Sequence, residues 1–171
     1  MTPTTLEALQ ATVVAWCVAV TSRETIVEDE GGPPPAAPYL SLSIRSCTPL
    51  QRDRTEVDRQ DETISTLHRV VFRLALSGGQ AMSDAARLRA SLWSARRWRD
   101  LWTVAGLGAV TAIHNLSALE TGRIRARAEF QLTLHAVITT ASRPEYFTTQ
   151  RIDLYETDQG RVATVDTCGD C

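Results

Sequence analysis

Apolar residues recur at two different spacings along the chain, and the spacing changes from segment to segment. Between Leu6 and Val20 they lie three and four positions apart, the period of an α-helix with one buried face. From Tyr39 onward, apolar and polar residues alternate strictly, and the alternation returns over 64–76 and, for longest, over 123–140. A period of two is typical of a strand with one buried face. The pattern therefore predicts a leading helix and long half-buried strands.

Shorter segments between these elements carry clear signals of their own. Thr4 or Thr5 is placed to cap the first helix, and a short strand is predicted over 25–28. The prolines of segment 31–38 fix φ and lack an amide N–H, so we expect a stiff surface loop there. The charged stretch 48–62 predicts an exposed loop or a flexible hairpin.

Two helices are predicted in the middle of the chain. Ser83-Asp84 is a plausible cap pair for the first of them. Its predicted core face consists of Ala85, Leu88 and Leu92. The second is expected over 94–105, with Gly106 as a left-handed C-cap. A strand over 110–116 and a last strand over 148–155 complete the set.

The order of these elements predicts the fold class. Strands cluster instead of alternating with helices, which favours an α+β fold with a mainly antiparallel sheet of four to five strands, helices packed on one face and long extended loops. Residues 1–156 are expected to form a single domain and 157–171 a polar C-terminal tail. The segment 123–140 exceeds the usual strand length of about 3–10 residues. It is therefore expected either to bend or to pair at one end with something outside the domain.

The predicted sheet has a polar face opposite the helices. It carries Ser41, Ser43, Arg69, Arg73, Arg125, Arg127, Glu129 and Gln131. Such a face is either an ordinary solvated surface or a contact with another subunit, including one that lines an assembly through which DNA passes.

A cluster of tryptophans and arginines over 93–102 has two interpretations. Trp98 and Trp102 are predicted as core anchors of an amphipathic helix whose arginines are solvated, and nucleic-acid contact is the alternative. Trp93 falls between the helices, where partial exposure would suit a subunit contact.

Composition narrows the function classes. The 171 residues carry a net charge of -2, so no global basic field holds a polyanion. The 18 basic residues are all Arg, which removes lysine-dependent chemistry. No apolar run is long enough for a membrane helix and no signal peptide is visible, so synthesis in the cytoplasm and no membrane partner are expected.

The reactive residues show no arrangement typical of a catalytic or metal site. Cys168 and Cys171 have CxxC spacing, but a structural zinc needs four ligands and only one pair is grouped, so we interpret them as part of the tail. The three histidines are scattered over separate predicted strands. No nucleotide-binding or hydrolase motif is present. We therefore expect no cofactor, no metal and no enzymatic activity.

Several segments together resemble the neck or tail terminator proteins of long-tailed phages, over roughly residues 6–140. The resemblance begins with the apolar helix and Ile26-Val27-Glu28-Asp29-Glu30 and continues with Pro33-Pro34-Pro35-Ala36-Ala37-Pro38-Tyr39 entering an alternating strand. Pro49 to Asp53, Arg69 to Leu76, Ala81 to Leu92, Gly106-Leu107 and Arg125 to Leu134 extend it. Gln51, where a turn glycine is expected, and Leu76-Ser77, in place of an aromatic-glycine strand end, depart from the family pattern.

The resemblance implies a non-enzymatic virion protein of the phage neck, made in the host cytoplasm. Such proteins form a hexameric ring that caps the tail tube, ends its polymerisation and joins the head-closure or connector proteins, with the sheath as a further possible partner and DNA passing through the lumen. The residues expected to make partner or subunit contacts are Pro33, Pro34, Pro35, Pro38, Tyr39, Arg52, Asp53, Arg54, Arg125 and Arg127.

Two alternatives stay open at this point. Another head–tail connector protein, such as a head-closure protein, would bind on the portal side and not at the tube end. A small cytosolic enzyme or ligand-binding domain would instead need a pocket with convergent polar groups, and the sequence shows no such cluster.

Overall fold

The computed structural model describes residues 1–28, 35–51, 54–58, 61–94, 99–120, 122–142, 149–156 and 160–168. Side chains are described over 1–28, 35–51, 63–94, 99–119 and 122–140. The predictions for Pro33, Pro34, Arg52, Asp53, Trp98 and Cys171 concern residues outside the described ranges, and only the backbone is described at Arg54 and Cys168.

The first helix, α1, spans Leu6–Thr21. The Thr5 side chain accepts a hydrogen bond from the Ala8 amide at 3.2 Å, so it is the cap that the sequence predicted. The apolar stripe, which includes Leu9 and Val13, is buried. Ser22 ends the helix in the left-handed conformation.

One sheet forms the centre of the protein. Its strands, in spatial order, are β1 (Glu24–Val27), β2 (Tyr39–Pro49), β4 (Asp61–Ser77), β9 (Arg127–Ser142) and β5 (Ala105–Val110). Two short strands join its sides: β3 (Arg54–Asp58) pairs with β4, and β6 (His114–Asn115) pairs with β9. All of these pairings are antiparallel except β1 with β2, which is parallel. The predicted α+β class with a mainly antiparallel sheet is confirmed, but the sheet has seven strands where four to five were expected, because the short β3 and β6 also pair with it.

The two longest strands, β4 and β9, pair without a break from Glu62 opposite Ser142 to Ser77 opposite Arg127. This pairing shows how the long alternating segment 123–140 fits within the protein. The regular strand is interrupted at Ala126, after which β9 uses its whole length within its own chain. The part before the interruption, β8 (Arg123–Arg125), pairs with β7 (Ala118–Glu120) in a separate two-stranded ribbon.

The hydrophobic core lies between the sheet and the helices. From β4 it takes Val70, Phe72, Leu74 and Leu76, and from β9 it takes Ala128, Phe130, Leu132, Leu134 and Ala136. The second helix, α2 (Ala81–Ser91), contributes Ala85 and Leu88, as predicted, and its C-cap Leu92 is buried beside them. Alternation in the strands and helical spacing in α2 therefore identified the core correctly.

Two predictions about helix caps in the middle of the chain are wrong. Helix α2 begins at Ala81 with Gln80 as N-cap, so Ser83 and Asp84 lie inside its first turn and do not cap it. The described part of the helix expected over 94–105 is α3 (Arg99–Val104), and β5 begins directly after it because Ala105 pairs with Ala136. Gly106 is therefore a strand residue and not a C-cap.

The other differences concern short strands and one tryptophan. The strand expected over 110–116 is two pieces, the end of β5 and the separate β6. Trp102, predicted as a core anchor, is 46% exposed, because Leu101 occupies the buried side of the short α3. The stretch 48–62 contains the hairpin of β3 and β4, which was one of its two interpretations.

The C-terminal part contains an antiparallel pair, β10 (Thr149–Glu156) with β11 (Gly160–Cys168). The first of these strands confirms the predicted last strand. Residues 160–168, expected to be tail, form a second strand, since β-branched Val and Thr residues support an extended backbone even without a long apolar pattern. The division into a domain 1–156 and a tail 157–171 stays a prediction. Within the described residues, no helix has the length and hydropathy needed to cross a bilayer.

Candidate functional site

Arg73 lies at the centre of an ion-pair cluster on the face of the sheet opposite the core. Its guanidinium donates to Glu28, which directly follows β1, at 3.1 Å and to Glu129 on β9 at 2.7 Å. The Ser41 hydroxyl on β2 donates a further hydrogen bond to Glu28 at 2.9 Å. Four neighbouring strands thus meet in one polar cluster, because the alternation of each strand points these side chains to the same face.

The charges of this cluster stabilise one another. For Glu129, the hydrogen bond from Arg73 lowers the pKa of the carboxyl below its ordinary value. Partial burial of Glu28 acts in the opposite direction, but hydrogen bonding together with the charges of Arg73 and Arg45 outweighs it and lowers the pKa of Glu28 as well. The hydrogen bond to Glu129 raises the pKa of Arg73. The polar face is therefore organised by paired charges.

A pocket of about 180 Å³ is lined on one side by this cluster. Its lining includes Tyr39, Ser77, Leu116 and Arg127. Tyr39 and Arg127 come from different strands, but both lie opposite Ser77 in the register, which is why they meet at one end of the sheet. Ser77 has a buried hydroxyl that lacks a hydrogen-bond partner among the residues described. We call this cavity the end pocket.

The other predicted contact residues are distributed over the molecule. Pro35 is half-buried and Pro38 is exposed, and both lead into Tyr39 at the end pocket. Arg125 is half-buried in β8, next to the pocket residue Arg127. Arg54 begins β3 opposite Ser65, which lies about 40 Å along β4 from Ser77 at roughly 3.3 Å per residue. Those predicted contact residues that the structure describes therefore do not form a single site.

A buried arginine that the sequence pattern did not reveal holds the turn beside the end pocket. Arg23 is 6% exposed. Its guanidinium donates to Asp84 in α2 at 2.6 Å and to the backbone carbonyls of Ser77 at 3.0 Å and Gly78 at 3.1 Å. These contacts, which we call the Arg23 latch, connect the end of β4 to the start of α2. Nothing in the local sequence around Arg23 distinguishes it from a surface arginine, because its partners are distant in the chain.

The sequence pattern also gave no indication of the ribbon formed by β7 and β8. Leu119 lies opposite Ile124 in its register, and these two side chains are 73% and 79% exposed. Ile124 continues the alternation of the following strand and was therefore expected to face the core, but the interruption at Ala126 separates it from the sheet. Leu116 and Arg127, just outside the two strands of the ribbon, both line the end pocket. The ribbon thus begins where the pocket lies.

The three histidines do not converge: His114 in β6 lies opposite Glu129 of the ion-pair cluster, whereas the other two lie elsewhere on the sheet. In the pairing of β4 with β9, His68 lies opposite Ala136, whereas His135 lies opposite the next residue, Arg69. Because side chains alternate between the faces of a sheet, the two histidines point to opposite faces. Within the described part of the chain, no group of three or more metal-ligating side chains is close enough to hold an ion. Burial raises the pKa of the Cys17 thiol, which lies in the core.

An α+β domain with an ion-paired sheet face and a projecting apolar ribbon is the kind of protein that works through contacts with other macromolecules. A family model described as phage neck terminator protein matches residues 7–162. The match covers most of the chain, so the chain belongs to the family of phage neck terminator proteins. No curated protein matches it.

The family is a structural one and not a family of enzymes, and its members are components of the virion neck. The resemblance inferred from the proline-tyrosine segment and the alternating strand is thus confirmed, and the phage neck is where this protein belongs.

Proposed function

We propose that this protein forms a hexameric ring that caps the completed tail tube, stops its polymerisation and joins the tail to the head-closure or connector proteins. It works by shape and docking, with no bond made or broken. The observation that carries the proposal is the family match over residues 7–162.

The distribution of surface features supports a ring. A closed ring of identical copies needs two unlike contact patches on each copy, placed so that repeated docking returns to the start. The end pocket and the ribbon lie at one end of the long β4–β9 pair, and the β3–β4 hairpin lies at the other. The two ends of this strand pair offer separate contacts for the neighbouring copy, the tube and the connector.

The charge of the chain supports passage of DNA through the lumen without sequence-specific binding. A protein that grips DNA relies on a basic surface, since phosphate contacts supply most of the non-specific affinity. This chain carries a net charge of -2, and Arg73 on the sheet face is paired with two carboxylates. A ring built in this way would guide DNA without retaining it.

We also propose that the tail tube, the sheath where one exists and the head-closure protein are its docking partners.

The proposal is tested with purified protein and with tail tubes assembled without a terminator. Light scattering gives the mass of the protein alone and negative-stain microscopy shows its position on tubes. We expect six-fold rings, free or at one tube end, and tubes that no longer elongate once they are capped. A solitary monomer that leaves tube growth unchanged would overturn the proposal.

A matched pair of variants tests whether the end pocket takes part. Tyr39→Ala combined with Arg127→Ala removes two of its lining side chains. Gln131→Ala removes an exposed polar side chain from the same sheet face without touching the pocket. We expect the first variant to cap tubes poorly and the second to cap them normally, with both folded by circular dichroism. Equal capping by both would exclude the pocket from the docking surface.

A further inference from the structure

Three side chains are the most exposed of the large apolar residues in the described chain, and the next, Met1, is 59% exposed. They are Ile124 at 79%, Trp93 at 75% and Leu119 at 73%. Scattered exposed apolar residues are normal, but these belong to two local sites: Leu119 and Ile124 form one face of the ribbon, and Trp93 follows the last turn of α2. Since the ribbon face and Trp93 are both exposed to solvent, they do not pack against each other within one chain.

The ribbon needs a partner on physical grounds. A two-stranded hairpin alone is marginally stable in water, and packing against another surface is what makes it persistent. Its second face is polar, with Arg123 and Arg125 alternating with Ile124. The apolar pair therefore gives the ribbon one face that suits an apolar surface, while the opposite face carries the exposed Arg123 and the half-buried Arg125.

Trp93 offers the complementary surface. An indole is large, rigid and apolar over most of its area, and aromatic residues are enriched among the anchors of protein interfaces. Its location differs from that of the ribbon. The ribbon begins beside Ser77, whereas α2 starts just after Ser77 and carries the chain about 16 Å away, at 1.5 Å per residue, before Trp93.

We propose that Trp93 of one copy packs on the apolar face of the ribbon, Leu119 and Ile124, of the next copy. The inference rests on the ring proposed above and names the contact that closes it. The partner of the ribbon is a second copy of this chain, because each copy carries both the ribbon and Trp93 at separate places. Two unlike patches on every copy are what a head-to-tail ring requires. Every ribbon then finds one indole and every indole finds one ribbon.

The size of the contact fits an anchor within a larger interface. Burying a tryptophan removes about 150–250 Å² from water, whereas a standard interface covers about 1,600 Å² in total. The remaining area comes from the surroundings of both sites, which include Leu116 at the foot of the ribbon. A few central residues carry most of the affinity in such interfaces. Loss of Trp93 is therefore expected to weaken association by about thirtyfold or more.

Cross-linking between two distinguishable chains tests this contact. Both chains carry Cys47→Ser, Cys168→Ser and Cys171→Ser, which leaves the buried Cys17. One carries Ser94→Cys beside the indole and the other Arg123→Cys in the ribbon, so the proposed anchors stay intact. The two are coexpressed with different tags and treated with a short bismaleimide, and the oligomer mass is measured by light scattering in the same sample.

We expect a mixed adduct of the two chains, and none when either chain is expressed alone. Trp93→Ser or Ile124→Asp added to these chains should abolish the adduct and lower the mass while circular dichroism is unchanged. Leu50→Ser, which changes another exposed apolar side chain at 45% exposure, is the matched control and should leave both readouts unaltered.

The contrary outcomes separate this contact from the ring itself. A ring by mass with no mixed adduct overturns the contact and leaves the proposed assembly standing. An adduct of the Arg123→Cys chain with itself would show that ribbons meet ribbons, which also overturns the contact. A monomer by mass, both alone and on tail tubes, contradicts the ring and this contact together.

Discussion

At the scale of single residues, the most constrained charge in the described structure is Arg23. It is almost completely buried and donates to the Asp84 carboxylate and to the carbonyls of Ser77 and Gly78. A buried ion pair contributes little compared with an apolar pair of the same shape, but removing one partner leaves the other as an uncompensated buried charge. The latch is therefore sensitive to the loss of either partner.

Replacing Arg23 should be strongly destabilising. For Arg23→Gln we expect the free energy of unfolding to fall by about 3 kcal/mol, because the mostly buried Asp84 carboxylate keeps only its ion pair with the exposed Arg87 and two carbonyls lose their donors. Urea unfolding followed by circular dichroism measures the change.

Arg87→Gln is the control for this prediction. Arg87 also pairs with Asp84, at 3.3 Å, but its side chain is 56% exposed, so its loss should cost less than about 1 kcal/mol. A result in which both substitutions cost the same would show that Arg23 is no more than a surface charge.

The ion-pair cluster predicts a dependence of stability on pH. The pKa values of Glu28 and Glu129 are lowered in the folded protein. Their contribution to stability is therefore complete above the ordinary glutamate pKa of about 4.3, and it is lost as the pH falls through the lower folded values. Arg73→Gln should be less stable than the unaltered protein at pH 7, by about 1 kcal/mol, and the difference should shrink below about pH 4.

Denaturant unfolding at pH 7, 5, 4 and 3 measures this difference. Arg69→Gln is the comparison variant, since Arg69 is an exposed arginine on the same face of β4. Its stability should follow that of the unaltered protein at every pH. A difference between Arg73→Gln and the unaltered protein that is as large at pH 3 as at pH 7 would contradict the assigned ion pairs.

At the scale of elements, the turn between β4 and α2 determines how the proline segment meets the end pocket. Gly78 has φ +75°, and a Cβ added there would lie 2.6 Å from the Cβ of Ala37. Gly122, in the turn of the ribbon, has nearly the same conformation, φ +77°, but a Cβ there would meet nothing within 4 Å. Substitutions at these two glycines therefore distinguish the cost of backbone strain from the cost of steric overlap.

This pair gives a direct comparison. Gly122→Ala should cost about 1 kcal/mol, the strain of a positive φ for a residue with a side chain. Gly78→Ala should cost about 3 kcal/mol, because the close approach to Ala37 is added to the same strain. Urea midpoints of the two variants test the difference. Equal costs would show that residue 37 moves aside without penalty.

Elements with a regular pattern were predictable from the sequence, and those set by distant contacts were not. Phe72 and Phe130 were placed in the core because they share the period of their strands. By contrast, Ile124 kept the same period and yet faces solvent, because the pairing of β9 with β4 stops at Arg127. Periodicity reports which face a residue takes within a strand, but it does not report where the neighbouring strand ends.

The candidate site was predictable to a similar extent. The proline-tyrosine segment and the arginines before Phe130 identified Tyr39 and Arg127, and the register then brought both to the end pocket. The latch formed by Arg23 could not be predicted, since its partner Asp84 lies 61 residues away in the chain and the pattern around Asp84 suggested a helix cap. Long-range hydrogen bonds of this kind leave no local signal.

At the scale of the whole molecule, the described parts should differ widely in local stability. The central pair β4 and β9 is bonded along its full length and covers the core, whereas the ribbon has three residue pairs and an uncovered apolar face. Opening free energies follow buried contacts and paired backbone groups. Amide exchange should therefore be slowest at positions such as Phe72 and Phe130 and fast in 118–125.

Hydrogen exchange measured by mass spectrometry on free and tube-bound protein checks this gradient. Exchange in 118–125 should slow markedly on assembly if the ribbon becomes buried, while peptides that contain Phe72 should change little because they are already protected. Slow exchange of the ribbon in the free monomer would contradict its independence from the core.

The uninterrupted pairing of β4 with β9 also restricts how this chain can change length. Inserting or deleting one residue within either strand would shift the register and turn every later side chain to the wrong face, exposing core phenylalanines and burying Arg73. Length variation is thus confined to the loops and to paired changes in both strands. Homologues in which this strand pair is longer or shorter should have gained or lost equal numbers of residues in the two strands, at the same end of the pair.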